Sequence, residues 1–145
     1  MKRTALLCTT TVVLVGGSLA ATVAATAAPS DARTHTLSFA AHTIASKTSG
    51  SRLVEADRLV KSGSTIGYSA NTCAFDFAAH TAHCEVTLAR AHGQLRAKAT
   101  INADTGALSG SVVGGTGVYQ GATGTVTGGP GAKPDITDIT VHWQR

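Results

Sequence analysis

Apolar and polar side chains alternate along several segments of this chain, and this period-two pattern is the feature that most constrains its fold. The segment 94–101 shows the pattern best: its apolar residues are Leu95, Ala97, Ala99 and Ile101, and the residues between them are basic or carry a hydroxyl group. Successive side chains of an extended strand point to opposite faces. The segment therefore predicts a strand with one dry and one wet side.

About eight such strands follow one another along the chain. The predicted segments are 34–45, 52–60, 65–71, the hairpin 73–88, 94–101, 108–113, 118–127 and 136–143. The predicted loops include 47–51, 102–106 and a glycine-rich bend at 128–131. Because no connection is long enough for a helical crossover, the sequence predicts an all-β, single-domain antiparallel meander that closes into an eight-stranded β-barrel. Closure also removes exposed strand edges.

One of these segments also fits a helix. In 52–60, the residues Leu53, Ala56 and Val60 follow a period of about 3.6 residues. We prefer a strand for this segment, because Gly63 follows it so soon.

The composition agrees with an all-β chain. The 145 residues include 16 Gly and 3 Pro, and 43% of them are apolar while 14% are charged. This is enough apolar material for a core and too little charge for a disordered chain. Aromatic residues make up only 4%, so the core must consist mainly of Val, Leu, Ile and Ala. For this length we expect one domain.

The N-terminal segment has the pattern of a secretory signal peptide. A short basic start precedes an apolar run (5–15), and small residues follow. We expect a signal peptide over 1–27, cleaved after Ala25 or Ala27. A short tail (28–35) and a barrel domain (36–145) would then remain in a secreted, extracellular protein.

A membrane anchor is the alternative interpretation of this segment. Gly16, Gly17 and Ser18 interrupt the apolar run well short of the ~20 residues that a transmembrane helix needs. We therefore expect no membrane span once the signal peptide has been removed.

Removal of the signal peptide also lowers the net charge. Of the 12 Lys and Arg residues, Lys2 and Arg3 leave with it, so ten basic residues remain against 8 acidic ones. The remaining basic residues are scattered singly with few aromatic residues between them. They offer neither a positive patch nor a stacking surface, so we expect no nucleic-acid partner.

Cys73 and Cys84 are expected to form a disulfide, which is the usual state of paired cysteines in an exported protein. If the chain turns around Ala78 and Ala79, the two cysteines face each other, and apolar residues fall on the same side of the hairpin. Such a bond should contribute about 3 kcal/mol. A metal site that adds His80 and His83 is the weaker alternative, because side chains three apart on a strand point to opposite faces. We expect no metal and no cofactor.

A glycine-rich run at 112–124 invites comparison with phosphate-binding loops. Its spacing is not that of a dinucleotide-binding loop, no helix follows it, and no Lys-Ser or Lys-Thr pair closes it. We interpret its glycines as structural, because glycine permits positive φ and sharp bends where a small barrel closes. They are Gly114, Gly115, Gly117, Gly121 and Gly124.

The same run, Val112-Val113-Gly114-Gly115-Thr116-Gly117-Val118-Tyr119-Gln120-Gly121-Ala122-Thr123-Gly124, resembles the signature of the allene oxide cyclase barrel and dirigent superfamily. Upstream, Asp57-Arg58-Leu59, Gly63, Ile66-Gly67-Tyr68-Ser69 and Cys73 occur in an order similar to that of secreted bacterial members. The resemblance covers about residues 36–144, nearly the whole mature chain.

The resemblance implies an eight-stranded barrel with an apolar interior, often assembled as a homo-oligomer. Plant relatives cyclise an unsaturated fatty-acid epoxide or steer the coupling of phenoxy radicals. For this chain it implies a secreted barrel that binds a small apolar ligand and that could guide its cyclisation or isomerisation, as a cyclase or isomerase would. Whether the chain is an enzyme is left open.

The resemblance also suggests candidate site residues. Asp57 matches an acidic residue near the pocket mouth of dirigent proteins and is a candidate general acid, while Tyr68 is a second catalytic candidate whose hydroxyl would reach the lumen. Cys73 stands where the plant cyclases have a pocket cysteine. The arginine of dirigent proteins before the third-strand glycine is absent, since Ser64-Thr65-Ile66 occupies that place. The candidate ligand-binding residues are Phe39, Tyr68, Phe75, Tyr119 and Trp143.

Other functions remain open at this point. Asp57 also fits a solvated carboxylate at a strand end, and Tyr68 also fits a core side chain. The main alternative is a non-catalytic extracellular scaffold, an interaction or inhibitor module, whose lumen is filled by Phe39, Phe75, Phe77 and Trp143. Alanines and glycines at inward positions favour a cavity instead. A hydrolase finds no support, because the chain has no G-x-S-x-G motif.

Overall fold

A computed structural model describes residues 33–145. The expected signal peptide over 1–27 and its cleavage positions lie outside the described residues and stay predictions. Eight antiparallel strands account for most of the described chain: β1 (His35–Ser49), β2 (Arg52–Lys61), β3 (Ser64–Asp76), β4 (Thr81–Arg90), β5 (Gly93–Asn102), β6 (Leu108–Gly115), β7 (Thr123–Pro130) and β8 (Ile136–Gln144).

The strands form one closed barrel in chain order. Each strand pairs with the next, and β8 pairs with β1 from Trp143 opposite His35 to Ile136 opposite His42. The predicted fold class is therefore confirmed. Segment 52–60 is part of β2 and not a helix. Within residues 33–145 there is no helix long and apolar enough to cross a membrane.

The predicted hairpin has the expected register. Cys73 pairs with Cys84 and Phe75 pairs with Ala82, and a disulfide joins the two cysteines. The turn between β3 and β4 is fixed by the Asp76 carboxylate, whose Oδ1 accepts hydrogen bonds from the backbone N–H groups of two turn residues. The disulfide prediction is thus confirmed.

Three predicted boundaries are wrong. β1 continues through the expected loop at 47–51 as far as Ser49, because it stays paired with β2 until a two-residue turn. The bend expected at 128–131 begins only after Pro130. Residues 118–122 do not start a strand, because the chain leaves the sheet after β6 and forms a short 3-10 turn at Gly117–Tyr119.

Glycine permits this departure from the sheet. Gly114 has φ 128° and lies at a bulge, where β5 and β6 shift register. Gly117 has φ 60° and lies so close to the backbone of His92 that a Cβ atom would collide with its carbonyl oxygen. The two glycines turn the chain inward, so that Tyr119 becomes buried at one end of the barrel.

The two ends of the barrel differ. The strand order places the turns at 62–63, 91–92 and 116–122 at one end, and the turns at 50–51, 77–80, 103–107 and 131–135 at the other. We call the part of the lumen next to the first set the closed half. Large side chains fill it, and only about 10 Å³ of space remains between them. They are Leu37, Arg90, Leu95, Tyr119, Val141 and Trp143.

Candidate ligand-binding site

The other part of the lumen, which we call the hollow half, contains a cavity of about 100 Å³. Its apolar wall is formed by Ala41, Leu53, Val86, Leu88, Ala97, Ala99, Ile101, Leu108, Val126, Ile139 and the Cys73–Cys84 disulfide. Small inward side chains leave this space, namely Ala41 on β1, Ala97 and Ala99 on β5, and the two cysteines of the disulfide. A completely filled lumen, which the scaffold alternative assumed, does not fit this structure.

A group of polar side chains lies in the cavity wall, on β2 and β3. Asp57 is opposite Ser69, and Glu55 is opposite Asn71. All four side chains line the cavity. They share one face because residues two apart on a strand point the same way, and the register aligns the two pairs.

Asp57 is the centre of this group. Only 3% of Asp57 is exposed, and its Oδ2 accepts hydrogen bonds from Ser69 Oγ (2.6 Å) and Asn71 Nδ2 (2.7 Å). Two donors on one oxygen fix the carboxyl group in place. The side chain is therefore held rigidly at the cavity wall.

Two buried oxygens of the group have no hydrogen-bond partner among the described residues. They are Asp57 Oδ1 and Asn71 Oδ1. The orientation of the Asn71 amide follows from its bond to Asp57, because only the amide nitrogen can donate to a carboxylate oxygen. A buried polar atom without a partner is unfavourable, so both oxygens favour a bound group that donates hydrogen bonds.

Glu55 supplies a second, different carboxyl group. Thr43 Oγ1 donates a hydrogen bond to Glu55 Oε1 at 2.7 Å. Burial is the largest effect and raises the pKa of Glu55 above its ordinary value of 4.5. The neighbouring Asp57 carboxylate raises this pKa further, as a hydrogen-bond acceptor for the protonated form and through its charge, whereas the Thr43 hydrogen bond lowers it. The pair thus offers a fixed acceptor beside a carboxyl group that holds its proton more tightly than usual.

No cation neutralises this pair within residues 33–145. The ion pairs found there join His80 to Asp104 and Lys98 to Glu85, and all four side chains are largely exposed. The same part of the chain has no cluster of three or more His, Cys, Asp or Glu residues placed to hold a metal ion. His83 contacts Thr100 on the outer surface, away from the disulfide.

The structure separates the residues predicted from the sequence. Asp57 lines the cavity, and Cys73 does so as half of the disulfide. Tyr68 is 54% exposed on the outer face, because its neighbours Gly67 and Ser69 take the inward positions. The expectation that its hydroxyl reaches the lumen is wrong, and we leave Tyr68 out of the site.

The aromatic candidates lie around the cavity and not in its wall. Phe39 belongs to the main core, and Phe75 packs against the disulfide and stacks on Phe77, which is 70% exposed. Tyr119 and Trp143 meet edge to face in the closed half, with ring centroids 5.7 Å apart. Within the described chain, no aromatic side chain lines the cavity.

Sequence reasoning missed Glu55, Ser69 and Asn71. Their signal was present: Glu55 and Asp57 have the same parity as Leu53 and Leu59, which are inward-facing apolar residues of the same strand. Two acidic residues on the apolar side of a strand predict a buried polar site.

Comparison with known proteins shows the fold. No family model matches the sequence, and no curated protein matches it. Among solved structures, a pyocyanin demethylase superposes with a TM-score of 0.63 at 20% identity, over 75% of this chain and 99% of that one. AbnU, an exo-specific intermolecular Diels-Alderase, gives 0.63 at 14% identity, over 78% and 99%. The Diels-Alderase AbmU from Streptomyces koyangensis gives 0.63 at 13% identity, over 81% and 70%.

Proposed function

We propose that this protein is a secreted barrel that binds a small, mostly apolar molecule in the hollow half and orients it through the Asp57 group. One observation carries the proposal: an apolar cavity whose wall holds a single, rigid group of buried polar side chains with unpartnered oxygens. Small-molecule sites have this composition, a largely apolar lining with a few polar groups that fix orientation. The disulfide supports export.

The cavity volume limits the ligand. A cavity of about 150 Å³ lined by apolar side chains takes up benzene. The cavity of about 100 Å³ here is smaller, so it encloses a short branched chain, or holds a small ring that reaches partly out of it. A larger ligand must extend towards the end of the barrel that carries the turns at 50–51, 77–80, 103–107 and 131–135.

The comparisons support a ligand-binding role. The similar structures include a demethylase and Diels-Alderases, proteins whose names refer to reactions of small organic molecules. The sequence resemblance to the allene oxide cyclase and dirigent superfamily points in the same direction, and we propose that the chain is a distant bacterial member. Because one fold can support many functions, the proposal for this chain rests on the residues in its own lumen.

Binding of toluene tests the proposal. Toluene titrated into the protein should shift NMR resonances of residues in the hollow half and raise the melting temperature, because a ligand that binds only the folded state stabilises it. Ala99→Leu should abolish both effects, since the added carbon atoms occupy the cavity. Ala70→Leu, on the exposed outer face of β3, is the matched control and should bind toluene normally. Unchanged spectra with the wild-type protein would refute the proposal.

A second candidate function is proton transfer, and the raised pKa of Glu55 beside Asp57 favours it. Asp57 would take a proton from one carbon of a bound unsaturated ketone, the double bond would move, and Glu55 would return a proton to another carbon. A final transfer from Asp57 to Glu55 restores both groups, so the net reaction is an isomerisation.

Cyclohex-3-enone is a suitable probe, since it is a single small ring with one carbonyl group and its conjugated isomer is followed by ultraviolet absorbance. We expect a rate above that of buffer, reduced at least about 100-fold in Asp57→Asn. Glu85→Gln, an acidic side chain exposed on the outer face of β4, should not change it. A rate equal to that of buffer would exclude this second function and leave the binding function intact.

A further inference from the structure

We infer that the ligand of the hollow half carries a protonated primary or secondary amine next to a small apolar group, and that the ammonium lies against Asp57. This inference rests on the proposed binding function and not on the isomerase candidate. It names the chemical class of the ligand from the polar group in the cavity wall.

The unsatisfied atoms determine which groups can bind there. Asp57 Oδ1 and Asn71 Oδ1 are both acceptors, and both are buried without a partner in the described chain. A ligand carboxylate, phosphate or ketone placed against them would set acceptor against acceptor. A group with two or more N–H donors has one hydrogen atom to donate to each oxygen.

The charge of the wall also favours a cation. Neither Glu55 nor Asp57 pairs with a Lys, Arg or His side chain within residues 33–145. The inward-facing Arg90 lies in the closed half, where its Nη1 donates to the Tyr119 hydroxyl at 2.9 Å. A buried carboxylate without a counter-ion is unfavourable, and a ligand cation placed beside it removes this penalty.

The apolar wall argues for an organic cation and against a metal ion. Calcium takes six to eight oxygen ligands and magnesium six, whereas oxygens of this wall are engaged with one another: Asp57 Oδ2 accepts from Ser69 and Asn71, and Glu55 Oε1 accepts from Thr43. A quaternary ammonium group has no N–H to donate and is recognised by aromatic cages, whereas no aromatic side chain of the described residues lines this cavity. A primary or secondary amine on a short apolar body has N–H groups to donate to the two oxygens, and its apolar part fits the apolar wall.

A series of benzyl compounds tests the inference on the wild-type protein. The dissociation constants of benzylamine, toluene, benzyl alcohol, benzoate and benzyltrimethylammonium are measured by NMR titration at about pH 7, where benzylamine is protonated. We expect benzylamine to bind at least about tenfold more tightly than toluene and benzyl alcohol, and benzoate to bind more weakly than toluene.

Asp57→Asn sharpens the test. Its side-chain oxygen still accepts from Ser69 and Asn71, while an NH₂ group replaces Oδ1 and turns the free position from an acceptor into a donor. Benzylamine affinity should fall at least about tenfold, and toluene affinity should stay the same. Asp138→Asn, which removes an exposed carboxylate of the outer face of β8, should leave both unchanged.

Each outcome decides between the two proposals. Toluene binding with no preference for benzylamine would overturn the amine inference and keep the binding function. Benzyltrimethylammonium binding as tightly as benzylamine would also overturn it, because charge alone would then suffice. If no compound of the series binds, the binding function itself fails. The wild-type series is decisive even if Asp57→Asn does not fold.

Discussion

The closed and hollow halves of the lumen are built on the same strands, and they differ in the side chains that the strands carry and in the 3-10 turn that adds Tyr119 to the closed half. In the closed half, Tyr119 and Trp143 fill the space, and Arg90 is anchored by the Tyr119 hydroxyl. In the hollow half, the wall has no aromatic side chain among the described residues and combines aliphatic residues with alanine, cysteine and a few polar groups. The barrel therefore separates two tasks: the side chains of one half pack against each other, and the other half leaves space and places polar atoms around it.

This division has an energetic consequence. A packed aromatic cluster contributes to stability through burial and close contact. A cavity and buried carboxyl groups have the opposite effect, because contacts are missing and charges are desolvated. We therefore expect substitutions in the closed half mainly to change stability, and substitutions in the hollow half mainly to change binding. The following predictions test this comparison.

The largest expected effect is that of Tyr119→Ala. Tyr119 is 5% exposed and packs edge-on against Trp143, so its removal leaves a cavity and an unpartnered Arg90. We expect the free energy of unfolding to fall by about 3–5 kcal/mol. Urea denaturation followed by tryptophan fluorescence measures it, since Trp143 is the only tryptophan.

Tyr119→Phe is the matched control, because it keeps the ring and removes only the hydrogen bond to Arg90. It should lower the free energy of unfolding by about 1–2 kcal/mol. If Tyr119→Ala were no more destabilising than Tyr119→Phe, the closed half would not be the packed half.

The next largest effect is expected from the disulfide in the wall of the hollow half. The double substitution Cys73→Ala/Cys84→Ala should lower the free energy of unfolding by about 3 kcal/mol, because the unfolded chain gains freedom in the loop that the bond closes. Thiol reductant should destabilise the wild-type protein by a similar amount and leave the double variant unchanged. A double variant as stable as the oxidised protein would contradict this assignment.

Replacing one alanine by leucine in each half compares how tightly the closed half and the hollow half are packed. Ala122 is 1% exposed in the closed half, where Ala122→Leu should be destabilising by about 1–3 kcal/mol through overpacking. Ala99→Leu in the hollow half has free space to occupy and should change stability by less than about 1 kcal/mol. Equal destabilisation by both substitutions, measured by urea denaturation, would remove the distinction between the halves.

The sequence predicted the barrel because the fold depends on repeated local patterns. The alternation in 94–101 predicts a strand, and the pairing of Cys73 with Cys84 predicts the register of a hairpin. The structure contains this strand and this register. The 3-10 turn at Gly117–Tyr119 was not predicted, because the glycines show that a bend is allowed and not which way the chain turns.

The site was predicted only in part, for a different reason. Asp57 was identified through a family resemblance, whereas Glu55, Ser69 and Asn71 join it through the pairing of β2 with β3. The prediction for Tyr68 was wrong because the sequence does not show whether an aromatic residue of a strand is exposed or buried. That depends on which alternate positions of the strand face the lumen. Whether the lumen is open depends on the sum of all inward side chains around the barrel, which no single segment reveals.

The smallest expected effect concerns Glu55 and the pH dependence of stability. Because burial and Asp57 raise the pKa of Glu55 in the folded protein above 4.5, the folded state binds its proton more tightly than the unfolded state does. The contribution of Glu55 to stability should therefore fall as the pH rises from about 4.5 through the raised pKa, and the loss is complete above it. Glu55→Gln removes this titration, while its amide oxygen can still accept from Thr43.

We therefore expect Glu55→Gln to match the wild-type protein near pH 4 and to exceed its stability at neutral pH. The gain should be at most about 1 kcal/mol, since Glu55 is only half buried and its charge is partly solvated. Melting temperatures measured across this pH range give the two curves. Glu85→Gln, on the exposed outer face, should give a curve parallel to that of the wild-type protein. If the Glu55→Gln curve were parallel as well, Glu55 would be as well solvated as a surface carboxylate, and the polar group of the hollow half would consist of Asp57, Ser69 and Asn71 alone.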